Sequence, residues 1–381
     1  MIAADRPVQR PRDARLLVVN AAGHITHAPR SRFVDFLQPG DLLVANDAAT
    51  LPASLHGVHL PSGADLEVRL AGRSSLAAED VHAFSAVVFG AGDFRARTED
   101  RPMPPPLMPG DRLALGPARE QPLLATVEGL LDHPRVVVLC FDGSPHAVWA
   151  GLARHGRPIQ YAYLSQALAL WDVWTPIAAL PVAFEAPSAG FALDWRSLAR
   201  LRSRGAGFAT ITLAAGISST GDAALDARLP LAEPYCVPAG TATSIRDAKA
   251  RGARIIAVGT TVVRALEHSG GRAGSGLADQ RVDAATDLCV VDAILTGTHE
   301  PHESHYQLLR AFADEALLAA ASQALETAGY RTHEFGDSML VFKTPRAALS
   351  NCARPERHKA WTQALTGFLR GAASRSCSAS A

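Results

Sequence analysis

A change of pattern between about residues 57 and 149 constrains the fold of this chain more than any other feature of its sequence. In this stretch, short apolar or alternating runs are separated by turn residues and by a proline-rich segment at 102–109. The runs cover residues 66–70, 86–89, 112–115, 125–127 and 136–141. Short strands at such spacing are typical of a small antiparallel barrel. We therefore predict that residues 57–149 form an inserted β-barrel domain.

On both sides of this stretch, apolar runs alternate with helix-like segments, a pattern that predicts an α/β core. The predicted strands are 16–20, 42–45, 209–213, 254–258, 288–295 and 338–342, and the predicted helices are 195–204, 244–252, 262–268 and 305–327. The core domain is expected to comprise residues 1–56 and 150–345. Residues 346–381 are expected to form a C-terminal extension with a partly disordered tail after about Arg370.

Composition and charge narrow the class of protein. Of 381 residues, 48% are hydrophobic, which is enough for a sizeable core, and basic and acidic side chains number 37 each. This balance gives no general support for nucleic-acid binding, which usually shows a basic excess. We interpret a local excess of arginine near the start as an ordinary solvated edge. It comprises Arg6, Arg10, Arg12, Arg15, Arg30 and Arg32.

Cysteine usage and hydropathy indicate the cellular compartment. The five cysteines are scattered and form no CxxC pair, which argues against a disulfide framework or a zinc knuckle and for a reducing compartment. Residues 1–15 are too charged for a signal peptide, and the apolar runs are far shorter than a membrane span. We expect a soluble, cytoplasmic monomer with no membrane association.

The strongest local signal is an apolar strand at 255–258 that runs into Gly259, Thr260 and Thr261 and then into a helical pattern. Free backbone N–H groups at a helix N-terminus, together with two hydroxyls, suit a phosphate, a carboxylate or a ribose hydroxyl. The spacing is not that of a P-loop. Capping of the helix by Thr260 or Thr261 explains the pattern equally well.

Two other segments place polar or small residues where ligands gather. Asn46 and Asp47 follow the strand 42–45, and ligands of open α/β sheets collect at the carboxyl ends of strands. Capping of the next turn is the alternative for both residues. Residues 185–191 combine proline and glycine with small side chains, which brings the backbone close either to a ligand or to the next helix.

A histidine-rich segment spans residues 296–305. His299, His302 and His305 are spaced at intervals of three and accompanied by two glutamates, which allows a metal site. Pro301 instead indicates a loop that enters a helix. We favour an active-site loop and predict that the protein holds no metal.

Taken in order, these segments resemble the S-adenosylmethionine:tRNA ribosyltransferase-isomerase family, and the likeness runs from about residue 42 to residue 342. Residues 255–267 are similar to the family's AVGTTxxRxLE segment. Residues 291–304 are similar to its VDxLxTNFHxPxS loop, with His299, Pro301 and Ser304 in matching places. The remaining matches are 43–55 with NDTRVxPARL, 185–191 with APTAGLHF, 233–235 with Glu-x-Tyr, and 335–340 with YGDAML.

The resemblance implies an α/β core with an inserted β-barrel and an activity in queuosine biosynthesis. Family members convert 7-aminomethyl-7-deazaguanine at the wobble position of tRNA to epoxyqueuosine. They consume S-adenosylmethionine as ribosyl donor and release methionine and adenine. We therefore expect S-adenosylmethionine as co-substrate and tRNA as a partner.

The resemblance also implies roles for single residues. His299 is the expected general base or acid, Asp337 is expected to contact a ribose or an amine, and Glu233 is expected to hold the sulfonium or amino group of methionine. Substrate binding is expected from Asn46, Asp47, Pro187, Ser188, Gly190, Gly259, Thr260, Thr261, Arg264 and Ser304. Arg264 and Glu267 are three residues apart on one helix and can pair with each other.

The chain departs from the family pattern at several charged or acid–base positions. Ala49 and Ser54 replace arginines, and Gly297 and Thr298 replace Asn-Phe. Four positions where the family has histidines hold Ala192, Ala214, Arg228 and Leu231. Two alternatives therefore stay open: an S-adenosylmethionine-using enzyme that acts on a small molecule, and a non-catalytic family member.

Overall fold

The computed structural model describes residues 1–6, 13–301 and 303–345, so the predicted extension at 346–381 lies outside the described residues. The strands are β1 Ile2–Ala3, β2 Arg15–Val19, β3 Ile25–Pro29, β4 Leu42–Asn46, β5 Ala48–Thr50, β6 Ser54–His59, β7 Ala64–Gly72, β8 Ala83–Gly90, β9 Arg112–Leu115, β10 Leu123–Leu130, β11 Val136–Phe141, β12 Leu180–Ala183, β13 Gly207–Leu213, β14 Glu233–Val237, β15 Ile255–Val258, β16 Gly274–Ala278, β17 Ala293–Gly297, β18 Arg331–Thr332 and β19 Ser338–Phe342. The α-helices are α1 Pro145–His155, α2 Leu170–Val173, α3 Trp195–Ser203, α4 Ala223–Asp226, α5 Ala239–Ala250, α6 Thr260–Ser269, α7 Ser304–Leu309 and α8 Glu315–Thr327. Short 3₁₀ helices cover Arg30–Phe36, Thr98–Asp100 and Ser188–Ala192.

A nine-stranded mixed sheet forms the centre of the α/β part, in the order β16-β14-β13-β4-β15-β17-β19-β2-β3. Strand β4 is buried along its whole length and pairs in parallel with β13 and β15. Its side chains alternate between two apolar clusters: Leu42 and Val44 enter the larger one, and Leu43 and Ala45 the smaller. Burial of both faces explains why this strand is a continuous apolar run in the sequence.

Six antiparallel strands close into a barrel in the order β10-β11-β8-β7-β6-β9. The fold class predicted from the sequence, an α/β core with a small antiparallel barrel, is confirmed. The first barrel strand, β6, was not among the predicted runs, since Ser54–His59 combines polar residues with a glycine. One apolar cluster continues from Val68 and Phe84 in the barrel to Leu213 and Ile255 in the main sheet. The domain boundaries at residues 57 and 149 stay predictions.

Two element predictions near the C-terminal end of the core are wrong. The expected single helix at 305–327 is two helices, α7 and α8, because the Asp314 carboxylate accepts a hydrogen bond from the Leu317 N–H at 2.8 Å and caps a new helix. The expected strand at 288–295 begins only at Ala293, since the N–H groups of Val290 and Val291 bind the Glu267 carboxylate, each at 2.9 Å. Within the described ranges, no helix has the length and apolarity needed to cross a bilayer.

Candidate active site

The segments that resemble the family meet at one edge of the main sheet. Strands β13, β4, β15 and β17 are parallel neighbours, so their carboxyl ends share that edge, and β19 begins there because it pairs antiparallel with β17. Asn46, Gly259 and His299 therefore lie at or just beyond the same edge as Asp337. Loops at the carboxyl edge of parallel strands are where α/β proteins bind ligands.

Direct contacts join three of these segments. Gly259 has a φ of +94°, a conformation that L side chains rarely adopt, and a Cβ placed on it would lie 3.4 Å from the Ala189 Cβ. Phe191, two residues further on, stacks on Phe335 with ring centroids 5.5 Å apart. The backbone of residues 185–192 is thus wedged between the loop after β15 and the loop before β19.

The predicted binding residues Pro187, Ser188 and Gly190 form the start of the 3₁₀ helix in this wedge. Pro187 is its N-cap, and its carbonyl accepts a hydrogen bond from the Gly190 N–H at 2.9 Å. Gly190 is buried, and a Cβ on it would come within 3.0 Å of the Thr175 Cγ2. Close packing therefore accounts for this glycine, while Pro187 and Ser188 are half-buried.

Helix α6 begins at the edge of the sheet with Gly259 as its N-cap. Among the described residues, no side-chain hydrogen bond caps this end. Capping by Thr260 or Thr261, the alternative interpretation of this segment, is therefore wrong. Thr260 is buried and Thr261 is half-buried. The uncapped first turn can offer N–H groups to a carboxylate or a ribose oxygen.

Glu233 and Arg264 form a buried ion pair behind α6. The Arg264 Nη1 bonds the Glu233 Oε2, and the Gly216 N–H donates to the Glu233 Oε1 at 2.8 Å. Burial raises the pKa of Glu233, although the Arg264 charge and the Gly216 N–H act in the opposite direction. Both carboxylate oxygens have partners inside the fold, so the expected contact of Glu233 with methionine stays a prediction.

The expected pairing of Arg264 with Glu267 is wrong. Arg264 instead donates to three carbonyl oxygens besides Glu233, those of Leu231 at 3.1 Å, Ala278 at 2.9 Å and Gln280 at 3.3 Å. The Glu267 carboxylate accepts backbone N–H groups of residues 289–291, each at 2.9 Å. Both residues hold loops against α6, and substrate binding by Arg264 stays a prediction.

Asn46 and Asp47 connect the ends of β4 and β13. The Asn46 amide donates to the Leu213 carbonyl at 2.9 Å and accepts from the N–H groups of Leu213 and Ala48 at 3.0 and 3.1 Å. Asp47 is half-buried, and its Oδ1 accepts the Thr212 hydroxyl at 2.7 Å. Asn46 is largely satisfied within the fold, whereas Asp47 keeps a second carboxylate oxygen without a hydrogen bond from the described residues.

Asp337 is buried between β19 and β2. Its Oδ1 accepts the Arg15 N–H at 2.7 Å, and its Oδ2 accepts the Arg331 N–H at 2.9 Å and the Arg15 guanidinium at 3.1 Å. These contacts hold the segment before β19 in place. The catalytic role expected for Asp337 stays a prediction. Arg30, which is buried and donates to the Gly336 carbonyl at 3.1 Å, is not part of a solvated edge, whereas the Arg15 side chain stays 36% exposed.

His299 lies between a hydroxyl and a carboxylate. Its Nε2 is 2.9 Å from the Thr296 Oγ1, and its Nδ1 is 3.3 Å from the Glu303 Oε2. A carboxylate at Nδ1 favours the tautomer that leaves Nε2 unprotonated, which is the form that a general base needs. Counting along VDxLxTNFHxPxS from His299 places Glu303, rather than Ser304, at the final serine of the pattern. Ser304 is half-buried and begins α7.

His305 stacks on His299, with ring centroids 4.9 Å apart and planes 18° apart. Burial lowers the pKa of His305 to about 4, and the neighbouring His299 acts in the same direction, so His305 is neutral near pH 7. Ligand atoms of His299, Glu303 and His305 lie within 4.8 Å of one another, close enough to consider a metal ion. Lone pairs in the planes of stacked rings run nearly parallel and converge poorly on one ion. The absence of a metal stays a prediction.

The positions that depart from the family pattern are filled by packing or by other charges. Ala192 and Ala214 are buried in the two apolar clusters. Ala49 is buried in β5, which pairs with β12. The Ser54 hydroxyl donates to the Glu67 Oε1 at 2.8 Å, and Glu67 also binds the guanidinium groups of two barrel arginines, Arg69 and Arg101. Positive charge is therefore present beside position 54, supplied by Arg69 in β7 and by Arg101 in the segment after the 3₁₀ helix Thr98–Asp100.

A cavity beside these segments was not predicted from the sequence. Its lining combines apolar side chains with six polar residues, namely Thr50, Gln160, Tyr161, Tyr163, Glu185 and Glu334. Glu185 immediately precedes the Ala-Pro-Ser-Ala-Gly segment and Glu334 immediately precedes Phe-Gly-Asp-Ser, a position that could have drawn attention to both. No sequence signal marks the two tyrosines.

Comparisons with known proteins identify the family of this chain. The sequence profile of the family described as "Queuosine biosynthesis protein" matches residues 1–341. An S-adenosylmethionine:tRNA ribosyltransferase-isomerase of Sorangium cellulosum is 31% identical over 363 residues, which cover 89% of this chain and 95% of the relative. A protein of the same name from Thermus thermophilus is 31% identical over 349 residues, which cover 87% of this chain and 93% of the relative. The crystal structure of an S-adenosylmethionine tRNA ribosyltransferase from Thermotoga maritima covers 90% of this chain and 96% of its own, with 24% identity and a TM-score of 0.47. The chain therefore belongs to the queuosine biosynthesis protein family.

Proposed function

We propose that this protein is an S-adenosylmethionine:tRNA ribosyltransferase-isomerase. It transfers the ribosyl group of S-adenosylmethionine to 7-aminomethyl-7-deazaguanine in tRNA and isomerises it to give epoxyqueuosine. The observation that carries the proposal is the meeting of the family segments at one sheet edge, where Gly259 lies beside Ala189 and Phe191 stacks on Phe335. Membership of the family, over nearly the whole described chain, supports the same reaction.

The residues at this edge fit the steps that the reaction requires. A sulfonium acidifies the adjacent C5′ protons, so transfer begins with a general base. The Thr296–His299–Glu303 arrangement supplies one, because Glu303 orients the imidazole through Nδ1 and keeps Nε2 as the unprotonated nitrogen. The Thr296 hydroxyl bonds this Nε2 at 2.9 Å and is the contact that the substrate must displace. The uncapped N-terminus of α6 at Thr260 and Thr261 suits the carboxylate or ribose hydroxyls of the donor.

The tRNA contact is expected to come from charges other than the family's two arginines. Arg69 and Arg101 are buried beside Ser54, and Arg154 and Arg157 belong to the segment that leads out of the barrel. Because Arg69 and Arg101 bind Glu67, the exposed arginines are the better phosphate ligands. Binding through few phosphate contacts predicts a shallow dependence of tRNA affinity on salt.

The reaction is tested by incubating the purified protein with S-adenosylmethionine and a tRNA that carries 7-aminomethyl-7-deazaguanine at the wobble position. Digestion of the tRNA and mass spectrometry should show epoxyqueuosine nucleoside in place of the starting base. The matched control is the same tRNA with guanine at that position, which should stay unmodified. An unchanged nucleoside in the first tRNA, under conditions where a relative from the family modifies it, would contradict the proposal.

A further inference from the structure

The cavity beside the family segments has an unusual charge composition. Its described lining contains two glutamates, Glu185 and Glu334, and no lysine or arginine. The remaining lining combines the two tyrosines, Thr50 and Gln160 with apolar side chains such as Leu164 and Phe335. The internal volume is about 20 Å³, room for one group of the size of a water molecule, so the cavity can take a single polar head group of a ligand but not a whole ligand.

One oxygen of each carboxylate remains available to a ligand. The Tyr161 hydroxyl and the Ser218 N–H, the latter at 3.1 Å, both donate to the Oε1 of Glu185. The Tyr163 hydroxyl donates to the Oε2 of Glu334. Among the described residues, no hydrogen bond reaches the Glu185 Oε2 or the Glu334 Oε1. The tyrosines thus fix both carboxylates and leave one acceptor on each.

Among the described residues, neither of the two carboxylates forms an ion pair, and each accepts a hydrogen bond from a tyrosine hydroxyl. Burial raises the pKa of Glu185 to about 7, and the nearby charge of Glu334 acts in the same direction. The guanidinium of Arg69, 5.5 Å from the Tyr161 ring centroid, is already paired with Glu67. A buried carboxylate is stabilised either by a proton or by a cation, so this pair favours a positively charged ligand.

Aromatic rings line up along the same cavity. Tyr161 and Tyr163 are stacked with centroids 6.1 Å apart, and Tyr163 stacks on His333 at 4.1 Å. These stacking partners, and the Arg69 guanidinium over Tyr161, already occupy ring faces, so the two tyrosines act on the cavity through their hydroxyls. Burial raises the pKa of both tyrosines well above the ordinary value, so they act as neutral hydrogen-bond donors.

The cavity adjoins the proposed active site. Thr50, Ala186 and Phe335, from three of the family segments, line it. The pKa of Glu303 is lowered. Burial acts to raise it, but the hydrogen bond from His299 and the charges of nearby histidines, His333 among them, outweigh burial. The same His333 stacks on Tyr163. The His299 loop and the carboxylate pair are therefore within electrostatic reach of each other.

We propose that the cavity between Glu185 and Glu334 is a subsite for an ammonium group of the substrate, either the amino group of S-adenosylmethionine or the aminomethyl group of the deazaguanine base. The choice of these two sources rests on the proposed function. Glu185 and Glu334 bind the cation through their available oxygens, and the two tyrosines hold the carboxylates in register.

The test is calorimetric titration of the native protein and of Glu185→Gln and Glu334→Gln, which remove the charge and preserve the shape. The probes are S-adenosylmethionine, S-adenosylhomocysteine, 5′-methylthioadenosine, 7-aminomethyl-7-deazaguanine and its uncharged 7-cyano analogue. Both variants should lose at least about tenfold in affinity for a cationic probe, as is usual when one partner of a buried charge pair is neutralised. The affinity for the two uncharged probes should change less than about twofold.

The pattern of losses identifies the cation. Equal weakening of S-adenosylmethionine and S-adenosylhomocysteine indicates the amino group of the donor. Weaker binding of the aminomethyl base alone indicates the base. Glu326→Gln, on the exposed face of α8, is the matched control and should bind every probe as the native protein does.

Three results would overturn the proposal: equal losses for charged and uncharged probes, no loss for any probe, or no binding of any probe to the native protein. The tRNA assay is a separate readout. A protein that shows the carboxylate dependence but modifies no tRNA would refute the proposed reaction and keep the cation subsite. A protein that modifies tRNA, but whose binding of the charged probes does not depend on Glu185 and Glu334, would refute the cation subsite and keep the proposed reaction.

Discussion

Replacement of Arg264 by methionine tests the buried ion pair behind α6. Arg264 and Glu233 are 3% and 4% exposed, so the carboxylate left by Arg264→Met has no water to solvate it. Removing one partner of a buried pair costs about 3–5 kcal/mol of unfolding free energy. The three carbonyls that Arg264 binds also lose their donor, which places the expected loss at the upper end of that range.

The assay is urea unfolding followed by circular dichroism, with Glu233→Gln/Arg264→Met as the companion variant. Glutamine still accepts the Gly216 N–H but carries no charge, so the double variant should recover about 2 kcal/mol relative to the single one. The single variant should also be pH-dependent. Without Arg264, the pKa of Glu233 is raised further, so the folded state gains from protonation at low pH and loses that gain as pH rises through the raised pKa.

The reasoning is refuted if Arg264→Met costs less than about 1 kcal/mol, since exposed ion pairs contribute that little. It is also refuted if its cost is the same at pH 5 and pH 8, because the cost would then not come from an uncompensated carboxylate.

Three further outcomes follow from the site geometry. His299→Gln should lower kcat for tRNA modification by about 10²–10⁴ with unchanged affinity for S-adenosylmethionine, while His146→Gln, on the exposed face of α1, should leave kcat unaltered. Gly259→Ala should destabilise the fold by about 1–3 kcal/mol in urea unfolding and weaken binding of S-adenosylmethionine in calorimetric titration. Gly63→Ala, at a glycine that also has a positive φ but has open space around it, should lower stability without changing this binding. The pKa of Glu185 is raised from 4.5 to about 7, so protonation of this carboxyl contributes fully to stability below pH 4.5, and the contribution is lost as pH rises through 7. In urea unfolding, Glu185→Gln should therefore be more stable than the native protein at pH 8 by about 1–3 kcal/mol and equally stable at pH 5. A Glu185→Gln protein that is less stable at pH 8 would contradict the burial of an uncompensated carboxylate.

The sequence predicted those elements whose pattern is local. Strands β9, β11 and β19 have the predicted bounds, because short apolar or alternating runs between turn residues show strands directly. The break between α7 and α8 was missed, since a run rich in alanine and leucine favours helix throughout and only the Asp314 cap interrupts it. Such a cap is visible in the sequence only when the start of the helix is already known.

The candidate site was predictable as a set of segments but not as a set of roles. The family resemblance located Gly259, His299 and Asp337, which the fold brings to one edge. It could not show that backbone N–H groups hold Asp337. Nor could it show that Glu233 pairs with Arg264, 31 residues further along the chain. Partners distant in sequence are set by tertiary packing, and no local pattern encodes them.

The carboxylate cavity was invisible for the same reason. Tyr161 and Glu185 are 24 residues apart, and Tyr163 and Glu334 are 171 apart, so only the folded chain brings each hydroxyl to its carboxylate. The replacement of family histidines by Ala192 and Ala214 suggested lost chemistry, yet His299 has a carboxylate partner, Glu303, where the family pattern has a serine.

The release of adenine and methionine from S-adenosylmethionine, followed with and without tRNA that carries 7-aminomethyl-7-deazaguanine, tests the proposed reaction most directly. The reaction predicts that both products appear only when this tRNA is present, and in amounts equal to each other and to the modified nucleoside. Release of neither product, or release that is the same without tRNA, would contradict the assignment of this chain as a tRNA ribosyltransferase-isomerase.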